Sequence, residues 1–288
     1  MYAKLYGATL HGIDGCIITV EVDISQGLPV FDIVGLPNQS VKEARERVRA
    51  AIKNSGYDFP MRRIVVNLAP ATIRKSSAGL DLAIALGVLI ASGQIKGCKA
   101  KISALLNRCL FMGELALDGS LLPTFGTLAM SLAGLEADYN TIYTSVENGY
   151  NLKAIPNLTI YGESSLQNII TVLEDQVKSK SISTSKKVKI GKNQDEILTD
   201  TMDNKNHNTT YDVDFGDVQG QELGKRAMLI SAAGHHHCIM IGPPGGGKTM
   251  MAERLPTILP PMTWNEMVEV SRIQDVIGLL GDKGLVKT

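Results

Sequence analysis

The chain has 288 residues, of which 44% are hydrophobic, and its 29 basic side chains balance 29 acidic ones. That length supplies cores for two ordinary domains. A formal charge of zero excludes any global attraction to nucleic acid or membrane, so such a contact needs a local patch.

In chain order, residues 2–10 and 16–22 read as two strands joined by a turn at Gly12 to Gly15, with Ile18, Val20 and Val22 alternating. Residues 30–34 give a third strand between Pro29 and Gly35. Ser40 and Glu43 form a capping-box signature, and Val41, Ala44, Val48, Ala51 and Ile52 follow at helical spacing to a stop at Gly56. Residues 62–68 read as a strand, and residues 80–91 as a helix apolar nearly all round and therefore central. A hairpin is expected over residues 109–117 and 121–122, about Asp118 and Gly119. Helix, strand, strand and helix follow at residues 126–135, 141–144, 158–161 and 165–173. This mixture predicts an α+β domain over residues 1–174. Residues 175–211 are rich in Lys, Ser, Asn and Asp and poor in core material, which reads as a flexible tether. A second domain is expected over residues 212–288, of α/β type.

Cys16, Cys98, Cys109 and Cys238 have no paired spacing, so neither a disulfide framework nor a zinc knuckle is indicated. The opening residues do not resemble a signal peptide, and the longest apolar run, residues 82–92, is too short to span a bilayer. The expectation is a cytoplasmic protein without a membrane partner.

The second domain carries the chemistry. Gly242, Pro243, Pro244, Gly245, Gly246, Gly247, Lys248 and Thr249 fit the phosphate-loop pattern G-x-x-x-x-G-K-S/T without a gap. Residues 238–241 read as the buried strand before it and residues 250–255 as the helix after it, with Pro256 limiting its run. Glycines let backbone N–H groups turn toward an anion, and the helix start adds partial positive charge. Lys248 is expected to reach the β- and γ-phosphates of ATP, and the hydroxyl of Thr249 to complete the shell of Mg2+. His235, His236, His237 and Cys238 invite a metal reading, but consecutive residues on a strand alternate faces, so a turn is the expectation. Thr263 and Glu266 form a second capping box, opening a helix whose apolar face (Met267, Val270, Ile273) is expected in a core.

Asp217 to Gln221, Lys225 to Ala227, the phosphate loop, and Arg254 to Pro256 together resemble the start of a magnesium-chelatase-type AAA+ module. Residues 7–15, Phe31 to Pro37, Arg45 to Arg47, Asn67 to Pro70, and Gly113 to Leu115 narrow the resemblance to the ComM/YifB family. That resemblance implies a hexameric ATPase that remodels DNA by branch migration in natural transformation. It also places the adenine against Asp217 and Val218. The acidic strand, sensor residues and arginine finger it implies do not occur before Thr288, so the sequence is read as a truncated portion with weak hydrolysis expected.

The leading domain resembles the proteolytic domain of Lon. Lys75, Ser76, Ser77, Ala78 and Gly79 resemble the segment that carries Lon's nucleophilic serine, and Ser77 falls on that serine. The resemblance puts Leu128 where Lon has its lysine. A serine without a base is a poor nucleophile, so Ser77 is expected to cap a helix and no peptidase activity is expected. Other classes left open are a chelatase motor for tetrapyrrole metalation, a Lon-like peptidase and a non-enzymatic binding fragment.

Overall fold

The structure is a computed structural model that describes residues 1–73, 75, 78–97, 99–178, 188–190, 195–196, 212–280 and 284–286. It divides into two compact units. The first comprises residues 1–201 and 270–285, the second residues 202–269 and 286–288.

In the first unit, β1 (Tyr2–His11) and β2 (Asp14–Ser25) form a long antiparallel hairpin in register from Tyr2 opposite Asp23 to His11 opposite Asp14. β3 (Val30–Val34) leads into α1 (Gln39–Asn54), and β4 (Arg63–Ala69) returns between β2 and β3. The sheet order is β1-β2-β4-β3, with β4 antiparallel to β2 and parallel to β3. One residue in two along these strands is apolar, so one face is dry: Leu5, Val20, Val22, Ile24, Ile64, Val66 and Leu68 are all buried. α2 (Asp81–Ser92) covers that face and is buried on nearly every side, as its composition predicts. It lies very close to β2, since a β-carbon on Gly87 would come within 2.5 Å of Val22 Cγ2. Each large side chain sealed in this layer contributes roughly 1.5–3 kcal/mol.

α3 (Lys99–Leu106) then precedes β5 (Cys109–Phe111), which Gly113 separates from β6 (Glu114–Leu115). The hairpin expected over residues 109–122 is therefore two structures. β6 pairs with β7 (Leu121–Leu122), while β5 pairs parallel with β8 (Thr141–Ser145) in a second sheet. α4 (Thr127–Glu136), α5 (Val146–Leu152), β9 (Thr159–Glu163) and α6 (Leu166–Lys178) complete this βα arrangement. Phe111, Tyr143 and Tyr161 stack across the three neighbouring strands with centroids 4.9 and 4.8 Å apart, a buried ladder that fixes their register. Two short strands inside the stretch read as a tether, β10 (Val188–Ile190) and β11 (Asp195–Glu196), extend this sheet beyond β9.

α1 starts two residues earlier than its sequence signature. Asn38, not Ser40, is the N-cap, and its side chain accepts the Val41 N–H at 3.0 Å. At the other end Gly56, at φ +83°, follows the last turn as expected.

The second unit contains a 3-10 turn at Phe215–Asp217, α7 (Glu222–Gly234), α8 (Lys248–Arg254) and a 3-10 segment at Leu255–Ile258 that carries Pro256. Phe215, Val218, Met228 and Met251 form its small core. α9 (Trp264–Val276) begins at the capping box read from sequence, with Glu266 Oε2 accepting both the Thr263 N–H and hydroxyl at 2.7 Å. Its buried residues are Ser271 and Asp275, whereas Ile273 is 44% exposed. The expected apolar core face is thus corrected to a polar one. From Val270 onward the chain belongs to the first unit, where Arg272 pairs with Asp14 at 2.5 Å and Asp275 reaches α4. Both units mix helix and sheet or helix and loop, and the whole is of mixed α/β class.

Candidate nucleotide site

Residues 238–243 lead into the phosphate loop and form no strand. Ile239 and Ile241 stand 84% and 89% exposed. The strand expected at residues 238–241 is corrected: a strand exists only through hydrogen bonds to a neighbour, and none pairs with this run among the described residues.

The loop itself has the shape its glycines permit. Gly245 and Gly247 lie at φ +78° and +77°, a left-handed conformation that a residue with a β-carbon adopts only at a cost. Gly247 is the N-cap of α8, so Lys248 and Thr249 are its first two residues. The N–H groups of such a first turn lack acceptors within the helix and are free for an anion. The Lys248 ammonium curls back over the loop and donates to the carbonyls of Gly242 and Pro243 at 2.9 and 2.7 Å. Thr249 is exposed. A β-carbon on Gly242 or Gly245 would meet nothing within 4 Å, so the cradle is open. Left-handed glycines, an ammonium already folded over the loop and an exposed threonine fit a Mg2+–triphosphate.

The segment carrying Asp217 and Val218 is fastened to the helix that follows the loop. Asp214 accepts the Gly216 N–H at 2.6 Å, and Asp217 accepts the Asp214 N–H at 3.1 Å, closing a reciprocal cap. The Phe215 N–H donates to Thr257 Oγ1 at 3.1 Å, and Arg254 Nε lies 3.7 Å from Asp217. Val218 is buried beside Met251 of α8. Gln221 Nε2 also donates to the Gly246 carbonyl at 3.5 Å. The roles of Arg254, Thr257 and Gln221 were missed in the sequence; Asp214 and Asp217, three apart, were the signal for this cap.

The histidine run makes a turn. His235 ends α7 at φ +51°, the His236 N–H donates to the Ser231 carbonyl at 3.0 Å, and Ser231 Oγ donates to the His236 carbonyl at 2.5 Å. Among the described residues no group of His, Cys, Asp or Glu is arranged to hold a metal ion.

Of the residues read against Lon, Ser77 lies outside the described residues. Leu128 is buried in the first turn of α4. Lys75 is fully buried, with its ammonium donating to the carbonyls of Gly35, at 2.7 Å, and Pro70. Burial lowers its pKa below the usual lysine value.

Residues 20–148 match the family described as subunit ChlI of Mg-chelatase, and residues 214–288 match magnesium chelatase, subunit ChlI. The chain is 38% identical over 266 residues to the uncharacterized protein YifB of Salmonella typhimurium, covering 92% of this chain and 47% of that protein. It is 34% identical over 275 residues to the competence protein ComM of Haemophilus influenzae, covering 96% and 50%. The chain belongs to the Mg-chelatase-like ComM/YifB family.

The chain spans about half the length of these two relatives. A weaker likeness, 25% over 158 residues, reaches the Lon protease of Mycolicibacterium smegmatis and covers 52% of this chain. No helix among its described residues is long and apolar enough to cross a membrane.

Proposed function

We propose that this chain contributes the nucleotide-gripping half of an ATP-driven ring, a hexamer of like subunits that remodels branched DNA in the cytoplasm during uptake of foreign DNA. The observation that carries the reading is the loop in which Lys248 and the left-handed Gly245 and Gly247 stand at the start of α8. In this reading the amides of residues 245–249 hold the phosphate oxygens, and Lys248 leaves the Gly242 and Pro243 carbonyls to pair with the β- and γ-phosphates. Thr249 gives its hydroxyl to Mg2+, which when bound neutralises phosphate charge. The segment at Asp217 and Val218 borders the base, held there by the Asp214 cap and by Arg254. The unit at residues 1–201 serves assembly or DNA engagement, without peptide hydrolysis, because Leu128 offers no base where the Lon resemblance calls for one.

Preference for DNA over tetrapyrrole metalation comes from the relative named for competence, which aligns with both parts of the chain. Calorimetry with a nonhydrolysable ATP analogue and Mg2+ tests the site. Saturable heat that Lys248→Ala weakens at least tenfold is expected; a folded protein that gives no heat overturns the reading.

A further inference from the structure

A cavity of about 480 Å3 opens in the first unit beside β3, the middle of α1 and the loop that enters β4. One wall is apolar: the rings of Phe31 and Phe59 meet at 5.5 Å, and Met61 stands 66% exposed at the mouth. The other wall carries three guanidinium groups, from Arg45, Arg49 and Arg62. Arg45 and Arg49 are four apart on α1, so they project on one side, at the exposed edge of the stripe that buries Val48 and Ile52. Arg45 donates to the Phe31 carbonyl at 3.5 Å, and the Arg49 guanidinium lies 5.7 Å from the centre of the Phe59 ring. Among the described residues neither Arg49 nor Arg62 forms an ion pair. Two carboxylates, Asp32 and Glu46, share the lining, so its formal charge is only +1.

The Arg49 and Arg62 guanidinium groups, beside an aromatic wall, select a ligand that is anionic and also has an exposed planar face. Arginine matches phosphate in a bidentate fork, and rings accept bases of any sequence. A duplex offers phosphates but hides its base faces. A polyacidic peptide offers charge without a planar face and meets repulsion from Asp32 and Glu46, which suit base amino groups instead. With a chain of zero formal charge, this patch has to supply its own attraction. We infer that the cavity is a single-stranded nucleic-acid site, in which Arg49 and Arg62 take phosphates and the Phe59–Met61 wall takes a base. The inference rests on the DNA-motor reading above and names the strand that the first unit engages.

Fluorescence anisotropy of a labelled mixed-sequence single strand with the full 288-residue chain, without nucleotide, tests it. Arg49→Ala combined with Arg62→Ala should weaken binding at least tenfold and reduce the log–log salt slope by about 1.4, at about 0.7 per phosphate on single strands. Phe59→Leu should weaken binding about tenfold with the slope unchanged. Unfolding midpoints verify that each variant is folded. Equal binding by the folded double arginine variant, or displacement of the strand by poly-glutamate, overturns the site. So does binding of branched duplex without binding of the single strand, which leaves the motor reading standing. Strand binding without any affinity for the ATP analogue upholds the cavity and overturns the motor.

Discussion

Arg47 donates from Nε and Nη2 to the two oxygens of Asp81 at 2.7 and 3.1 Å, tying the middle of α1 to the first residue of α2. Asp81 is 1% exposed, and the Leu115 N–H also points at it, at 3.4 Å. Burial raises the Asp81 pKa to about 6, even though Arg47 and the Leu115 amide pull it down. A carboxyl raised in the folded state binds its proton more tightly there than in the unfolded chain. Its stabilising contribution is therefore complete below about pH 4 and is lost as pH rises through about 6. Asp81→Asn should remove this slope, a difference of about 3 kcal/mol at most across that window. Urea unfolding of both proteins at a series of pH values measures it. Arg47→Ala, which leaves a buried carboxylate alone, should cost about 3–5 kcal/mol at pH 8.

The Asp275 carboxylate accepts the Leu128 N–H at 2.7 Å, across 147 positions of sequence. Its pKa is raised by burial, against hydrogen bonds from the Leu128 and Gly126 amides. Asp275→Ala leaves the Leu128 amide buried without an acceptor, at a cost of about 1–3 kcal/mol. Hydrogen exchange should report lost protection at Leu128, whereas Asp275→Asn, which retains an acceptor oxygen, should keep most of it.

Glycine positions in the phosphate loop should differ in their tolerance. Gly247→Ala forces a β-carbon into φ +77°, a conformational cost of about 1–2 kcal/mol. The dissociation constant of the ATP analogue should rise about tenfold or more. Gly242→Ala has open space around it and no positive φ, so the unfolding midpoint should be unchanged. Equal loss of stability in both variants would mean that the loop is held differently.

Ile239 and Ile241 should be replaceable. At 84% and 89% exposure, their change to Ser in this chain should move stability by less than about 0.5 kcal/mol. Leu5→Ala, in the dry face of the first sheet, should cost about 2–5 kcal/mol. Denaturant melts of the three variants make the comparison, and a large loss at Ile241 would restore the buried strand expected from sequence.

Local patterns were legible wherever the physics is local. Alternation in β1, β2 and β4, the apolar girth of α2, the Gly56 stop and the Thr263–Glu266 box all act within a few residues. The short α3 and α5 escaped because a helix of seven or eight residues has little periodicity to display and owes its stability to packing. The start of α1 moved to Asn38 because two side chains competed for one cap, and only geometry distinguishes them.

The sequence by itself determined the chemistry of the phosphate loop: glycines where the backbone turns left-handed, then a lysine and a threonine opening a helix. Those are properties of single residues and their immediate neighbours. Only the tertiary structure decided that β5 leaves the hairpin to join β8, that residues 238–241 lack a partner strand, and that Asp275 ends on α4. Strand pairing and buried hydrogen bonds are agreements between distant segments, and their energy depends on which groups meet rather than on which residues follow one another. The same reason hides the Arg49–Arg62 cavity from the sequence, since its two walls are brought together by the sheet beneath them.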